Sequence, residues 1–175
     1  MLDQFDGGQT TANIAGAVKP EFLANGAGPG YERTARPRAA QVMQTDRLKL
    51  VLGFFAVGNL INGGWMLGAP EHWYHNLPAG VPDTGPFNEH FVRDLGALFF
   101  LMGLALVWAA LRRRIRAVVL MLISGFYVFH ALLHVWDTVR GFLGPEHWMM
   151  DAGGVYLPAV LLLVVTAWAK RIEPQ

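Results

Sequence analysis

Two histidines and an aspartate, His130, His134 and Asp137, stand four and three residues apart in one apolar stretch, Phe126 to Arg140. On a helix those steps put the three side chains on a single face, one above the other. Two imidazoles and a carboxylate on one face are a ligand set that suits zinc, copper or iron. A second pair with the same spacing, His90 and Asp94, lies in Asn88-Glu89-His90-Phe91-Val92-Arg93-Asp94. Set on a facing helix, His90 or Asp94 would complete a metal site in the core of a bundle. The chain contains no cysteine, so thiolate ligation and disulfides are excluded, and a metal would be held by His, Asp, Glu or Met. Met149 and Met150 beside His147 leave softer copper ligation open. The H-x3-H spacing lacks the glutamate of the hydrolytic H-E-x-x-H motif.

The same residues admit two other readings. In the first they are structural: Arg93 pairs with Asp137, Asp94 pairs with Arg140, and the histidines donate to carboxylates and carbonyls between helices. In the second they bind a haem, a chlorophyll-type pigment or a quinone. His90 would then face His130 or His134, and Phe126, Tyr127, Phe129 and Trp136 would pack the ring. A serine nucleophile has little support: Ser124, the only serine, precedes His130 by six residues and falls on a different side of the helix. No glycine-rich phosphate loop occurs, and a formal net charge of +1 offers no nucleic-acid surface.

The elements that position these residues are apolar. The 175 residues are 53% hydrophobic and 15% charged, against about 25% charged in an average soluble domain. Residues 1–45, rich in Gly, Ala, Pro and Thr, read as a flexible or partner-bound cytoplasmic arm, with Phe5, Ile14, Phe22, Leu23 and Tyr31 as its anchors on a partner. They do not read as a secretory signal. Residues 46–171 read as one domain of four spans, at about 48–68, 90–111, 116–137 and 151–169. Thr45 or Asp46 would cap the first span and Asn88 the second. Four prolines between Pro70 and Pro86 exclude a long helix there. The fold class expected is all-α: a polytopic membrane protein whose four transmembrane helices form an up-down bundle.

Twelve of the fourteen Lys and Arg residues fall on one side of such a bundle, Arg93 and Arg140 being the exceptions. Basic residues collect in cytoplasmic connections, so both termini are expected in the cytoplasm of a multi-pass bacterial inner-membrane protein. All six histidines lie on the opposite side. A faint echo, Pro70-Glu71-His72-Trp73 against Pro145-Glu146-His147-Trp148, follows each odd-numbered span.

The segments His90 to Gly96, His130 to Asp137 and Asp151 to Ala159 resemble small, uncharacterised bacterial four-helix membrane proteins. An arginine near the start of the second span followed by glycine is similar, more distantly, to DoxX-like proteins. The resemblance covers about Asp46 to Lys170 and implies a fold and a membrane location, with no catalytic residue to carry over. The functional expectation is an accessory subunit of a larger membrane complex, in contact with lipid and other subunits, whose outer His/Asp cluster can bind a transition metal. The competing expectation is a metal-, haem- or pigment-binding redox protein or enzyme that uses that cluster.

Overall fold

The computed structural model describes residues 38–172, and the expected partner anchors of residues 1–37 lie outside them. The described chain is mostly helical: α1 (Arg38–Gly68), α2 (Pro70–Asn76), a 3-10 turn (Val81–Thr84), α3 (Glu89–Leu111), α4 (Arg113–Val139), α5 (His147–Asp151) and α6 (Leu157–Ile172). A single turn of π-helix, Ala152–Tyr156, joins α5 to α6. Four stretches are long and apolar enough to cross a membrane: Val42–Gly68, Glu89–Leu111, Arg113–Val139 and His147–Ile172. The all-α, four-span architecture is therefore as the apolar runs imply. Large apolar side chains such as Phe54, Ile61, Leu122 and Val164 point outward, which suits a lipid surround and not water.

The four long helices form a closed ring in which α1 packs on α3, α3 on α4, α4 on α6 and α6 on α1. The closest approach is between α1 and α3. A Cβ added at Gly63 would lie 2.5 Å from the Phe100 backbone nitrogen, and one at Gly96 would lie 2.7 Å from Met66 Cβ. Small residues are what let two helices come this near in lipid, where association depends on close packing. In the middle of the ring, the Tyr127 hydroxyl donates to Asn59 Oδ1 at 3.1 Å, and Asn59 Nδ2 donates to the Phe55 carbonyl at 2.8 Å. Lower down, Ser124 and Thr166 share a 2.7 Å hydrogen bond that joins α4 to α6.

Helix ends follow local chemistry, with one departure from expectation. Asn88 caps α3 by accepting the Phe91 N–H at 3.1 Å. Thr45 and Asp46 do not cap α1, because that helix begins earlier, at Arg38; Asp46 instead pairs with Lys49 at 3.1 Å. The basic turn between α3 and α4 is divided between solvent and the protein interior. Arg112 adopts an extended conformation that ends α3, and Arg116 folds back into the protein, where it is buried. Its Nε donates to the Ala109 carbonyl at 2.9 Å and its Nη2 to the Ala110 carbonyl at 3.0 Å. A guanidinium thus satisfies carbonyls that the end of a helix leaves free, at the negative end of its dipole.

The fourth span starts within what the sequence reads as a loop. His147 begins the helix, and the π turn that follows carries a hydrogen bond from the Leu157 N–H to the Ala152 carbonyl. Pro158 has no N–H to give to the residue four before it, and its ring crowds that carbonyl. A wider turn placed just before the proline removes the conflict.

Candidate functional site

At the end of the bundle that carries the histidines, the helices and the connection after α2 enclose a cavity of about 700 Å³. Its walls are mainly apolar and aromatic, with Trp73, Phe91, Phe99 and Phe126 among them. Tyr127 lies at its inner limit, already tied to Asn59. Asn62 also lines it and accepts the Trp73 indole N–H at 2.9 Å. The connection that follows α2 covers one side. It is held in place by Tyr74, whose hydroxyl donates to the Gly85 carbonyl at 2.6 Å, and by Thr84, which donates to the Val81 carbonyl at 2.7 Å. Among the described residues, Asp137 is the one charged side chain that lines the cavity, beside His130 and His134, and no Lys or Arg does so.

The polar wall is built on α4. His130 stacks on Phe126, with ring centroids 5.9 Å apart and planes 7° apart, and meets the edge of His134 at 4.7 Å. The i, i+4 steps from Phe126 to His130 to His134 put the three rings in one row along the helix. Behind that row, His134 Nδ1 lies 2.8 Å from Asp151 Oδ2 on the fourth span. Asp151 is fully buried, as is His147 one turn before it, and His147 Nδ1 stands 3.6 Å from the same Asp151 oxygen. That separation is an ion-pair distance and too long for a hydrogen bond. On its other side, His147 Nε2 is 3.2 Å from Asp83 Oδ2 in the 3-10 turn. Gly80 makes this approach possible. Its φ is +58°, and a Cβ there would come within 2.9 Å of Asp83 Oδ2 and 3.1 Å of His147 Cε1.

The cluster therefore runs Asp83, His147, Asp151, His134, from the surface to the cavity wall. It is not fully satisfied: His147 Nδ1 and Asp151 Oδ1 are buried without a hydrogen-bond partner. Buried polar atoms normally find one. The burial of both ends of the His147–Asp151 pair keeps them from water, and their geometry leaves spare hydrogen-bonding capacity behind His134.

The residues singled out from the sequence are divided by the structure. His130 and His134 come together at the cavity. Asp137 shares the cavity wall but pairs with Arg140 at 2.8 Å. His90 and Asp94 face outward, 88% and 65% exposed, and contact each other at 3.3 Å; neither lines the cavity. A haem held between His90 and a histidine of α4 is thus not preassembled. Among the described residues, no group of three or more His, Asp or Glu is arranged to hold a metal ion. The expected interhelical pairs are also absent. Arg93 pairs with Glu89 at 2.9 Å, and Arg140 with Asp137, each within its own helix. Partners one turn apart are already neighbours on the helix surface, so a local pair needs no second helix to be positioned.

Two further histidines have ordinary partners in packing. His72 Nδ1 accepts the Trp65 indole N–H at 3.0 Å, and His75 packs edge-on against Tyr74. His147 is the one whose importance the sequence reading misses, together with Asp151 and Asp83. A signal was present: His147 and Asp151 have the i, i+4 spacing of His90 and Asp94. Placing His147 in a loop hid it. The two Pro-Glu-His-Trp segments differ accordingly, with His72 exposed and His147 enclosed.

No curated protein and no solved structure matches the chain. A family model described as a domain of unknown function, DUF4345, matches residues 47–136. That segment takes in most of α1, all of α3 and α4 as far as Trp136, and so includes the cavity's histidines but not Asp151 or His147. An uncharacterised family agrees with the resemblance seen in the sequence, and because the match spans more than half of the residues, the chain belongs to the DUF4345 family.

Proposed function

We propose that this protein is a membrane-embedded binding protein that takes a small amphipathic molecule from the bilayer into the cavity between its helices. One observation carries the reading: a cavity of about 700 Å³ whose walls are mostly aromatic and aliphatic, with a few polar groups, His130, His134 and Asp137 on α4 and Asn62 on α1 among them. Concave, mostly apolar sites with a few convergent polar groups are the usual form of a small-molecule pocket. Helices whose polar residues served only to hold them together would pack into that space, because an apolar void forgoes contact on all its walls. The connection from Leu77 to Pro86 supports the same reading, since it is fixed over the cavity by side-chain bonds and not packed into it.

The test is native mass spectrometry, with elemental analysis and an absorption spectrum, on protein extracted gently from its membrane. The expected result is a retained small molecule that is lost in Leu95→Trp, which fills the cavity from α3. A chain without ligand that co-purifies with other subunits would favour the accessory-subunit reading instead. One equivalent of zinc, copper or iron, or a tetrapyrrole band, would favour the redox reading.

A further inference from the structure

The polar wall of the cavity constrains what its occupant carries at its head. We infer that the site selects a neutral, hydroxyl-headed amphipath, an alcohol or phenol, whose O–H engages the His134 imidazole. The inference rests on the binding reading above and specifies the chemistry of that same site.

Charge argues against ionic heads. Among the described residues no Lys or Arg lines the cavity, so none of them offers a phosphate or a carboxylate a cationic partner there. It would also meet two acids, Asp137 in the wall and Asp151 directly behind His134. An ammonium head is disfavoured for a different reason. Asp137 is already paired with Arg140, and the Asp151 carboxylate is engaged by His134 and screened from the cavity by that ring. What remains is a neutral group.

The imidazole narrows the choice further. With Nδ1 occupied by Asp151, His134 has one ring nitrogen left, and that nitrogen is a donor or an acceptor according to where the ring proton sits. A hydroxyl both donates and accepts, so it matches the nitrogen in either state. An ether or an ester can only accept. The Asp151 contact also fixes the ring: a carboxylate bonded to one ring nitrogen sets the orientation of an imidazole and raises the basicity of the other nitrogen. His130, stacked on Phe126 and edge-on to His134, closes the other side of the same spot. The aromatic walls beyond them suit an apolar body of rings or branched chain.

Three probes of one shape separate the possibilities: 4-hexylphenol, its methyl ether 4-hexylanisole, and 4-hexylbenzoate. Binding is measured to the full-length protein in nanodiscs of zwitterionic lipid, corrected for partition into empty nanodiscs. The phenol is expected to bind about tenfold more tightly than either of the others, the factor that follows from leaving one buried polar group unpaired. His134→Phe should bring the phenol to the level of the ether, and His134→Gln, which keeps a hydrogen-bonding group, should retain part of the preference. Equal binding of phenol and ether, or tightest binding of the benzoate, would overturn the hydroxyl assignment and leave the binding reading intact. Absence of any binding sensitive to Leu95→Trp would overturn both. The comparison of probes needs only the unaltered chain, so it decides the matter even where a His134 variant fails to fold.

Discussion

His134 Nδ1 and Asp151 Oδ2 lie 2.8 Å apart and connect the last third of α4 to the first turn of the fourth span. The contact joins a cavity-lining ring to a carboxylate that no water reaches. Breaking a buried pair by removing one member leaves the other charged or polar group uncompensated, at a cost of about 3–5 kcal/mol. Asp151→Ala and His147→Ala are therefore expected to lower the thermal unfolding temperature in detergent sharply. His90→Ala, which removes one half of an exposed pair within a single helix, should change stability by no more than about 0.5 kcal/mol. Equal effects at His90 and His147 in a size-exclusion thermal-stability assay would contradict the burial difference.

Arg116 offers a second contrast, this time within one basic run. Its guanidinium is buried and serves two carbonyls at the end of α3, whereas Arg114 is exposed. Arg116→Met should destabilise by about 1–3 kcal/mol for each carbonyl left unpaired, and Arg114→Met should be close to neutral. Arg116→Lys should recover little, because an ammonium cannot reproduce the planar fork that reaches both oxygens. The measurement is the same unfolding assay on the three variants.

The α1–α3 contact predicts an ordering of glycine substitutions. Gly96→Val and Gly63→Val press a branched side chain into the facing helix, and overpacking of this kind costs about 1–3 kcal/mol. Gly58→Ala adds a methyl where nothing lies within 4 Å, so it should be tolerated or slightly favourable for the helix. A folded yield for Gly96→Val equal to that of Gly58→Ala would mean that α1 and α3 are not this close in the membrane.

Ser124 and Thr166 test a weak interaction in the apolar half of the bundle. A double-mutant cycle with Ser124→Ala and Thr166→Val should give a coupling of about 0.6 kcal/mol, the average for hydrogen bonds between membrane helices. A coupling of zero would indicate that each hydroxyl is satisfied by its nearby carbonyl alone, since both also bond to Leu162 O, at 3.1 and 2.7 Å.

Gly80 is a point where backbone and site meet. Its positive φ and the crowding of a Cβ against Asp83 and His147 predict that Gly80→Ala displaces the 3-10 turn from the cluster. Increased proteolysis within residues 77–87, with the helical content by circular dichroism unchanged, is the expected result.

Much of this architecture is legible in the amino-acid order, for a physical reason. In lipid a backbone can satisfy its own hydrogen bonds only within a helix or a closed barrel, so four long apolar runs lead directly to four helices. The segregation of charge follows too: Arg112, Arg113 and Arg114, between the second and third spans, fall on one side of the bundle, and the histidines, around the connections after the first and third, on the other, because successive spans alternate in direction. The helical rows are equally readable, which is why His130 and His134 were bound to share a face whatever the rest of the chain did.

What the order of residues does not contain is the choice of partner across helices. Asp137, in step with His134, turns to Arg140, while Asp151, seventeen residues from His134, supplies the carboxylate. That choice depends on where the fourth span begins, on the rotation that a π turn before Pro158 imposes, and on a left-handed glycine that lays Asp83 over His147. Each is a property of packed helices and their connections, decided by which residues are left facing one another once the ring of helices has closed.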